Sequence, residues 1–174
     1  MKQLSPKAMG PRPSGRIAGA VIRGVDPGDR DALHAMFQRL SPDSRYRRFL
    51  STAASLDVAL RNVLDLDYVR RDAIVAVLDG SIIGLAECHA LRRSPTDVEV
   101  AVTVDDAFHR RGIGSELLNI VMARALRNGA TNVHASVLAE NRPMIEMLNK
   151  IAPGAHKELD RGVIDLMFPL RPSA

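Results

Sequence analysis

Tryptophan is absent from this chain of 174 residues, and two tyrosines and four phenylalanines are all the aromatic side chains it has. So small a supply of rings argues against a surface that binds nucleic acid by stacking bases. One cysteine, Cys88, excludes an internal disulfide framework. No apolar run approaches the ~20 residues that a membrane-crossing helix needs, so no membrane partner is expected. Neither sign of charge dominates, with 24 lysines and arginines against 20 acids and a net charge of +4. What remains is 46% hydrophobic and 25% charged, the composition of a globular protein with one sizeable core. A cytoplasmic location is the expectation.

Charge and punctuation are uneven along the chain. Lys2, Lys7, Arg12, Arg16 and Arg23 precede the first acid, and Pro6, Gly10, Pro11, Pro13 and Gly15 break any regular structure between them. Residues 1–18 therefore read as a flexible basic arm without the continuous apolar core of a secretory signal. A single domain is expected over 19–168, followed by a short tail over 169–174. The modest net charge and the shortage of rings rank nucleic-acid binding by the arm below the other functions considered.

Within the domain the hydrophobic period changes. "AGAVIRGV" predicts a first strand, and Asp26 or Asp29 can cap a helix through Leu40, with Leu33, Met36, Phe37 and Leu40 at helical spacing. After "SPDSRYRRFLS" comes a second helical region that includes "LDVALRNVLDL". "AIVAVLDGSIIGLAECHA" predicts two strands joined at Asp79-Gly80, a pair suited to a tight hairpin. "DVEVAVTV" is a further strand, "SELLNIVMARALRNG" a helix ended by Gly129, "TNVHASVLA" a strand, "NRPMIEMLNKI" a helix and "GVIDLMF" a last strand. The fold class is α/β (α+β), with a mixed central sheet of about six to seven strands and helices on both faces.

The junction "VDDAFHRRGIGSELL" carries the first chemical signal. The first backbone N–H groups of a helix lack intrahelical acceptors and attract anions, and Gly112 and Gly114 remove side chains that would hold an anion away. Each such contact contributes about 0.3–1 kcal/mol when exposed, so Arg110 and Arg111 supply the additional Coulomb attraction that a pyrophosphate needs. A nucleotide-triphosphate loop would place lysine before Ser115, where Gly114 stands; a dinucleotide loop would place a third glycine where Leu117 stands. Neither pattern is met.

"VTVDDAFHRRGIGSELL" followed by "VLAENRPMIEML" resembles the acetyl-CoA-binding core of the GNAT superfamily of N-acetyltransferases, whose signature of Gln or Arg, two residues, Gly, any residue, and Gly or Ala falls on His109, Gly112 and Gly114. His109 departs from that signature. Together with "LSPDSRYRRFL", the blocks are similar to bacterial protein-lysine acetyltransferases of the superfamily. The resemblance implies an acyl-CoA-dependent acetyltransferase in which the pantetheine arm of acetyl-CoA lies beside the strand at Val102, Thr103 and Val104 as an added strand. It further implies that His109, Arg110, Arg111, Gly112, Ile113, Gly114 and Ser115 hold the pyrophosphate and that Asn141 hydrogen-bonds to the cofactor, a role compatible with capping the next helix. No metal is implied.

Transfer to a lysine requires a neutral amine, and at pH 7 an ordinary lysine lies roughly 4–5 kcal/mol from that state. Period two puts Val98, Val100, Val102 and Val104 on one face of "DVEVAVTV" and Asp97, Glu99, Ala101 and Thr103 on the other. The resemblance gives Glu99 the role of general base, and partial desolvation would tune it toward the working range. Where many relatives carry a tyrosine that protonates the departing thiolate, this chain has Leu148. A protein lysine is the acceptor the resemblance favours, with a small-molecule amine as the alternative; a non-catalytic acyl-CoA-binding module is the alternative outside enzymes. A homodimer is compatible with the sequence.

Other residues invite simpler explanations. Cys88 and His89 have no second Cys-His group at ligand spacing, so Cys88 is expected to pack in the core. His134 is expected to be a half-buried strand residue, and Met144 and Met147 core residues. Arg45, Arg47 and Arg48 are expected on a solvated helix face, with the substrate entrance or the cofactor's 3′-phosphate as alternatives.

Overall fold

The computed structural model describes residues 19–50 and 55–171; the arm proposed over 1–18 and the end of the tail lie outside them. The strands are β1 (Val21–Gly24), β2 (Arg71–Leu78), β3 (Ser81–Leu91), β4 (Ser94–Val104), β5 (Asn132–Leu138), β6 (His156–Asp160) and β7 (Val163–Pro169). The helices are α1 (Arg30–Arg39), α2 (Pro42–Phe49), α3 (Leu56–Leu64), α4 (Ile113–Arg127) and α5 (Arg142–Ile151). One seven-stranded sheet runs in the order β1-β2-β3-β4-β5-β7-β6. All neighbours are antiparallel except β4 and β5, which are parallel and joined through α4.

Alternation along the strands sorts the core into two layers. Ile83, Cys88, Val98, Val100, Val133 and Leu166 meet Leu117, Leu118, Val121 of α4 and Leu148 of α5. On the other face, Val75, Ile82 and Leu85 meet Leu33, Met36 and Phe37 of α1 and Leu60 and Val63 of α3. Full burial of each such aliphatic side chain favours the fold by about 1.5–3 kcal/mol. At Gly84 the helix α4 lies directly on β3: an added Cβ would stand 2.9 Å from Leu117 Cδ1 and 3.2 Å from Ile113 Cγ2. Glycine here sets the depth at which the start of α4 sits.

Two differences from the expected elements have clear causes. "SPDSRYRRF" is a helix of its own, α2, although it buries no residue. Ser41 caps it by accepting from Ser44 N, and Pro42 occupies the first turn, so local capping replaces an apolar stripe. Strand β6 was not expected because every residue of "HKELD" is exposed and no apolar alternation marks it. It pairs with β7 through a turn at Arg161 (φ 46°) and Gly162 (φ 83°), the same left-handed pair that joins β2 to β3 at Asp79 (φ 49°) and Gly80 (φ 77°). The last strand also runs to Pro169, one residue into the expected tail.

Candidate active site

The site is made by a parting of strands. Strands β4 and β5 pair only at Asp97–Asn132, Val98–Val133 and Glu99–His134. Beyond Glu99 the two diverge while β4 stays paired with β3 as far as Val104. Asp105 N donates to Ile83 O at 3.0 Å. By the alternation of an antiparallel ladder, Asp105, Thr103 and Ala101 therefore direct their main-chain groups to β3, whereas Val104, Val102 and Val100 direct theirs to the gap. Of the three expected strand-addition residues, Val102 and Val104 face the gap with their backbones. Thr103 does not; its side chain is buried on the other face, with Oγ1 unpartnered.

The gap leads to the start of α4. Arg110 (φ 59°) and Gly112 (φ 80°) are both left-handed, and no side chain caps the helix at Gly112. A loop of this shape aims successive N–H groups at one point and forms an anion-binding concavity. An added Cβ at Gly114 would lie 3.6 Å from Val104 Cγ2 and 3.5 Å from Met147 Sδ, so any side chain there would project into the space between β4 and α5. Ile113 is buried, leaving its backbone for a ligand, and Ser115 follows in the first turn. Arg110 and Arg111 are exposed, the latter with its guanidinium 5.3 Å from the Phe108 ring centre. His109 is placed differently from a pyrophosphate ligand: its Nε2 lies 2.9 Å from Val104 O, bonding the main chain at the mouth of the gap.

A cleft of about 240 Å³ lies between the diverging strands. Glu99, Val100, Ala101 and Val102 of β4 line one wall, and Ala135, Ser136 and Val137 of β5 the other. Asn141, Met144 and Leu148 close it from α5, and Arg47, Arg48, Phe49 and Leu50 from α2. Asn141 caps α5, its side chain accepting from Met144 N at 3.4 Å, and still borders the cleft. Glu99 is exposed rather than desolvated in the free chain, so water exclusion around it has to come from a bound acceptor. Leu148 is core, and neither described tyrosine borders the cleft; Tyr68 OH bonds Val25 O at 3.2 Å and Tyr46 lies exposed on α2. A larger hollow of about 390 Å³ between α4 and the α5–β6 connection is lined without carboxylate, histidine or cysteine.

Two polar anchors escaped the sequence reading. Glu87 on β3 is buried and paired with Arg48 of α2, while His89 Nε2 lies 3.4 Å from its other oxygen. Burial pushes the Glu87 carboxyl up, but the Arg48 charge and the bonds from His89 and Arg48 outweigh it and hold the group below its ordinary value. An acid inside the apolar run "IIGLAECHA" was the available signal, since such a group requires a cationic partner. The second anchor is Asp106, which accepts from Ser41 N at 2.9 Å, Ser41 Oγ at 3.2 Å and Ser44 Oγ at 2.6 Å. Next to it, Asp105 takes Arg39 Nε at 2.7 Å. The Asp106 bonds fasten α2, and the Arg39 bond the end of α1, to the loop before α4. Cys88 is in the core as expected, its thiol pushed up to about 12 by burial and by Asp72, and is no nucleophile at neutral pH.

Strands parting beside a glycine-opened helix start, over a mixed seven-stranded sheet, define the acetyltransferase class of folds. The chain belongs to the Acetyltransferase (GNAT) family, which it matches over residues 31–152. It is 30% identical over 147 residues to acetyltransferase Pat of Mycolicibacterium smegmatis, covering 82% of this chain and 43% of that protein. Acetyltransferase PA5475 of Pseudomonas aeruginosa is likewise 30% identical over 132 residues, covering 73% of this chain and 70% of the other. The crystal structure of the GNAT domain of S. lividans PAT superposes with a TM-score of 0.78 at 26% identity, over 87% of this chain and 90% of that one. The chain thus spans less than half the length of the Mycolicibacterium relative. Among the described residues no helix is long and apolar enough to cross a membrane, and no three metal-ligating side chains converge.

Proposed function

We propose that the chain transfers acetyl from acetyl-CoA to a primary amine, a protein lysine side chain, by direct attack with Glu99 as the general base. One observation carries this reading: the main-chain groups of Val100, Val102 and Val104 that face the gap, with Val104 O held by His109, run in line from the start of α4 to the exposed carboxylate of Glu99. A pantetheine arm on those groups, with its diphosphate at Gly112–Ser115, presents its thioester beside Glu99. Lysine as acceptor is supported by the openness of the cleft at Glu99 and by the similarity of three sequence blocks to bacterial protein-lysine acetyltransferases.

Glu99 removes the ammonium proton, and the neutral nitrogen attacks the thioester carbonyl. The charge that develops on the carbonyl oxygen is stabilised by the Val102 N–H, which points into the gap. The C–S bond then breaks and the electron pair leaves on sulfur. With Leu148 in place of a protic side chain, the second nitrogen proton is lost to water as the C–S bond breaks, and the thiolate takes a proton from water or departs as the anion, which the ordinary thiol pKa of about 8–9 permits. General-base catalysis is worth about 10²–10⁴-fold. Glu99→Gln is therefore expected to retain acetyl-CoA binding by calorimetry and to lose transfer by that factor. Mass spectrometry of host lysine acetylation with and without the protein tests the acceptor. Unchanged transfer in Glu99→Gln rejects the base. Tight acyl-CoA binding without transfer to any amine, which Leu148 would suit, marks a binding module instead.

A further inference from the structure

Glu99 stands in a row of side chains that crosses the sheet. Its register partner on β3 is His89 and on β5 is His134, and cross-strand partners share a face, with Cβ atoms about 4.5–5.5 Å apart. Each imidazole is held by a carboxylate: His89 Nε2 is 3.4 Å from Glu87 Oε1, and His134 Nε2 is 3.4 Å from Asp97 Oδ2. We propose that His134, held by Asp97, accepts the proton that Glu99 takes from the amine and hands it to solvent. The inference rests on the reading of Glu99 as the base.

Position distinguishes the two histidines. The carboxylate beside His89 already shares its charge with Arg48, and the β2 partner of His89 is Arg71, a cation. Among the described residues Asp97 has no cationic partner but His134; Asn132 Nδ2 donates to its other oxygen at 2.9 Å. That bond first, and the His134 contact after it, hold the Asp97 carboxyl below its ordinary value, so a fixed negative charge waits beside the ring. Facing His134 are Asp97 and Glu99 from β4, Ser136 and Asn132 from its own strand, Met167 and Asp165 from β7, and His156, the β6 partner of Met167. The formal charges among them at neutral pH are carboxylates, while Arg47 and Arg48 of α2 line the cleft beyond Glu99. Glu99 borders the cleft and His134 does not, so an acceptor that fills the cleft covers Glu99 while the His134 side chain, 32% exposed, keeps its access to water.

The proton balance requires such an exit. The acceptor ammonium and acetyl-CoA give the amide, the CoA thiol and one free proton. Nitrogen loses two protons as the N–C bond forms and the C–S bond breaks; one ends on sulfur. The other passes from the ammonium to Glu99, from Glu99 to the His134 ring, and from the ring to water, which resets both groups for the next turnover. A carboxylate shielded by the acceptor has no other described imidazole on that side of it.

Two measurements on the full chain test this. In imidazole NMR titrations, Glu99→Gln and Asp97→Asn are each expected to lower the His134 titration midpoint relative to wild type, because each removes a negative charge from beside the ring. This measurement needs no acceptor, and an unmoved midpoint in Glu99→Gln overturns the relay. In pH profiles of kcat/KM with poly-lysine as probe acceptor, the wild type is expected to lose rate towards acid as the relay protonates. His134→Gln is expected to lose that acid limb and about tenfold or more of the plateau, within the range of general-base effects, and added imidazole to restore rate to His134→Ala. His89→Gln is expected to keep the limb. An intact limb and plateau in His134→Gln beside a dead Glu99→Gln overturns the relay and leaves the base standing; turnover in Glu99→Gln overturns both.

Discussion

Replacement of Asp106 by asparagine tests whether the helix that walls the acceptor side is fastened to the cofactor loop. The carboxylate accepts three hydrogen bonds from Ser41 and Ser44, and all three bind the cap of α2 to the turn that precedes α4. Hydrogen bonds to charged groups contribute about 1.5–3 kcal/mol when buried. Asp106 is 35% exposed, and both serine hydroxyls can turn to water, so the discounted loss is about 1–2 kcal/mol. Asparagine keeps one acceptor oxygen and presents an NH₂ group where a second acceptor stood. For a chain of this length the change corresponds to roughly 2–8 °C in Tm.

The sign of the pH dependence distinguishes this from a general loss of packing. Burial raises the Asp106 pKa, but the bonds from Ser44 and Ser41 and the neighbouring His109 outweigh it, and the folded value lies below the unfolded one. The stabilisation is thus fully present above the unfolded value near 3.9 and is lost as pH falls through the lower folded value. Wild type and Asp106→Asn should differ in Tm at pH 7 and converge in acid, as followed by circular dichroism. Transfer should fall more than acetyl-CoA affinity, since Arg47 and Arg48 move with α2. Equal melting at pH 7, or a gap that persists unchanged in acid, would refute the latch.

Gly114→Leu should abolish acetyl-CoA binding in calorimetry while the far-ultraviolet spectrum stays native, because the new side chain enters the space between Val104 and Met147 rather than the core. Arg48→Ala strands the buried Glu87 carboxylate and should cost about 3–5 kcal/mol in urea unfolding, whereas Arg48→Met combined with Glu87→Leu should recover most of that. Gly84→Ala should cost about 1–3 kcal/mol by pushing α4 off β3, and weaken acetyl-CoA binding because the helix start moves with it.

The second half of the chain was legible because its elements carry their own signals. Strand β4 alternates, α4 buries Ile113, Leu117, Leu118, Val121, Met122 and Ala125 at helical spacing, and the two glycines mark the turn between them. The acceptor side was less legible for a physical reason: what positions it is polar and distant in sequence. Helix α2 has no buried residue, so no periodicity could place it; it is held by Asp106 at one end and Glu87 at the other, 62 and 39 residues from their partners Ser44 and Arg48. The direction of Thr103 was hidden for a different reason. Alternation tells which side chains share a face, but only the register with β3 tells which backbone groups are already used.

The same distinction decides where specificity can reside. In the proposed function, cofactor binding rests chiefly on main-chain groups of Val100, Val102, Val104 and Gly112–Ser115, which many side-chain sequences can present provided glycine stands at the close approaches. On the same proposal, acceptor recognition rests on side chains from α2 and from the exposed edge of β4, where Arg47 borders the cleft with no partner among the described residues and Arg48 is committed to Glu87. Substitution of Arg47 should therefore change KM for the acceptor with little effect on kcat or on acetyl-CoA affinity. Substitution of Arg48 should change all of these together, because it releases the helix. If both variants instead altered acetyl-CoA affinity alone, as measured by calorimetry, α2 would belong to the cofactor side of the cleft and the division of labour argued here would fail.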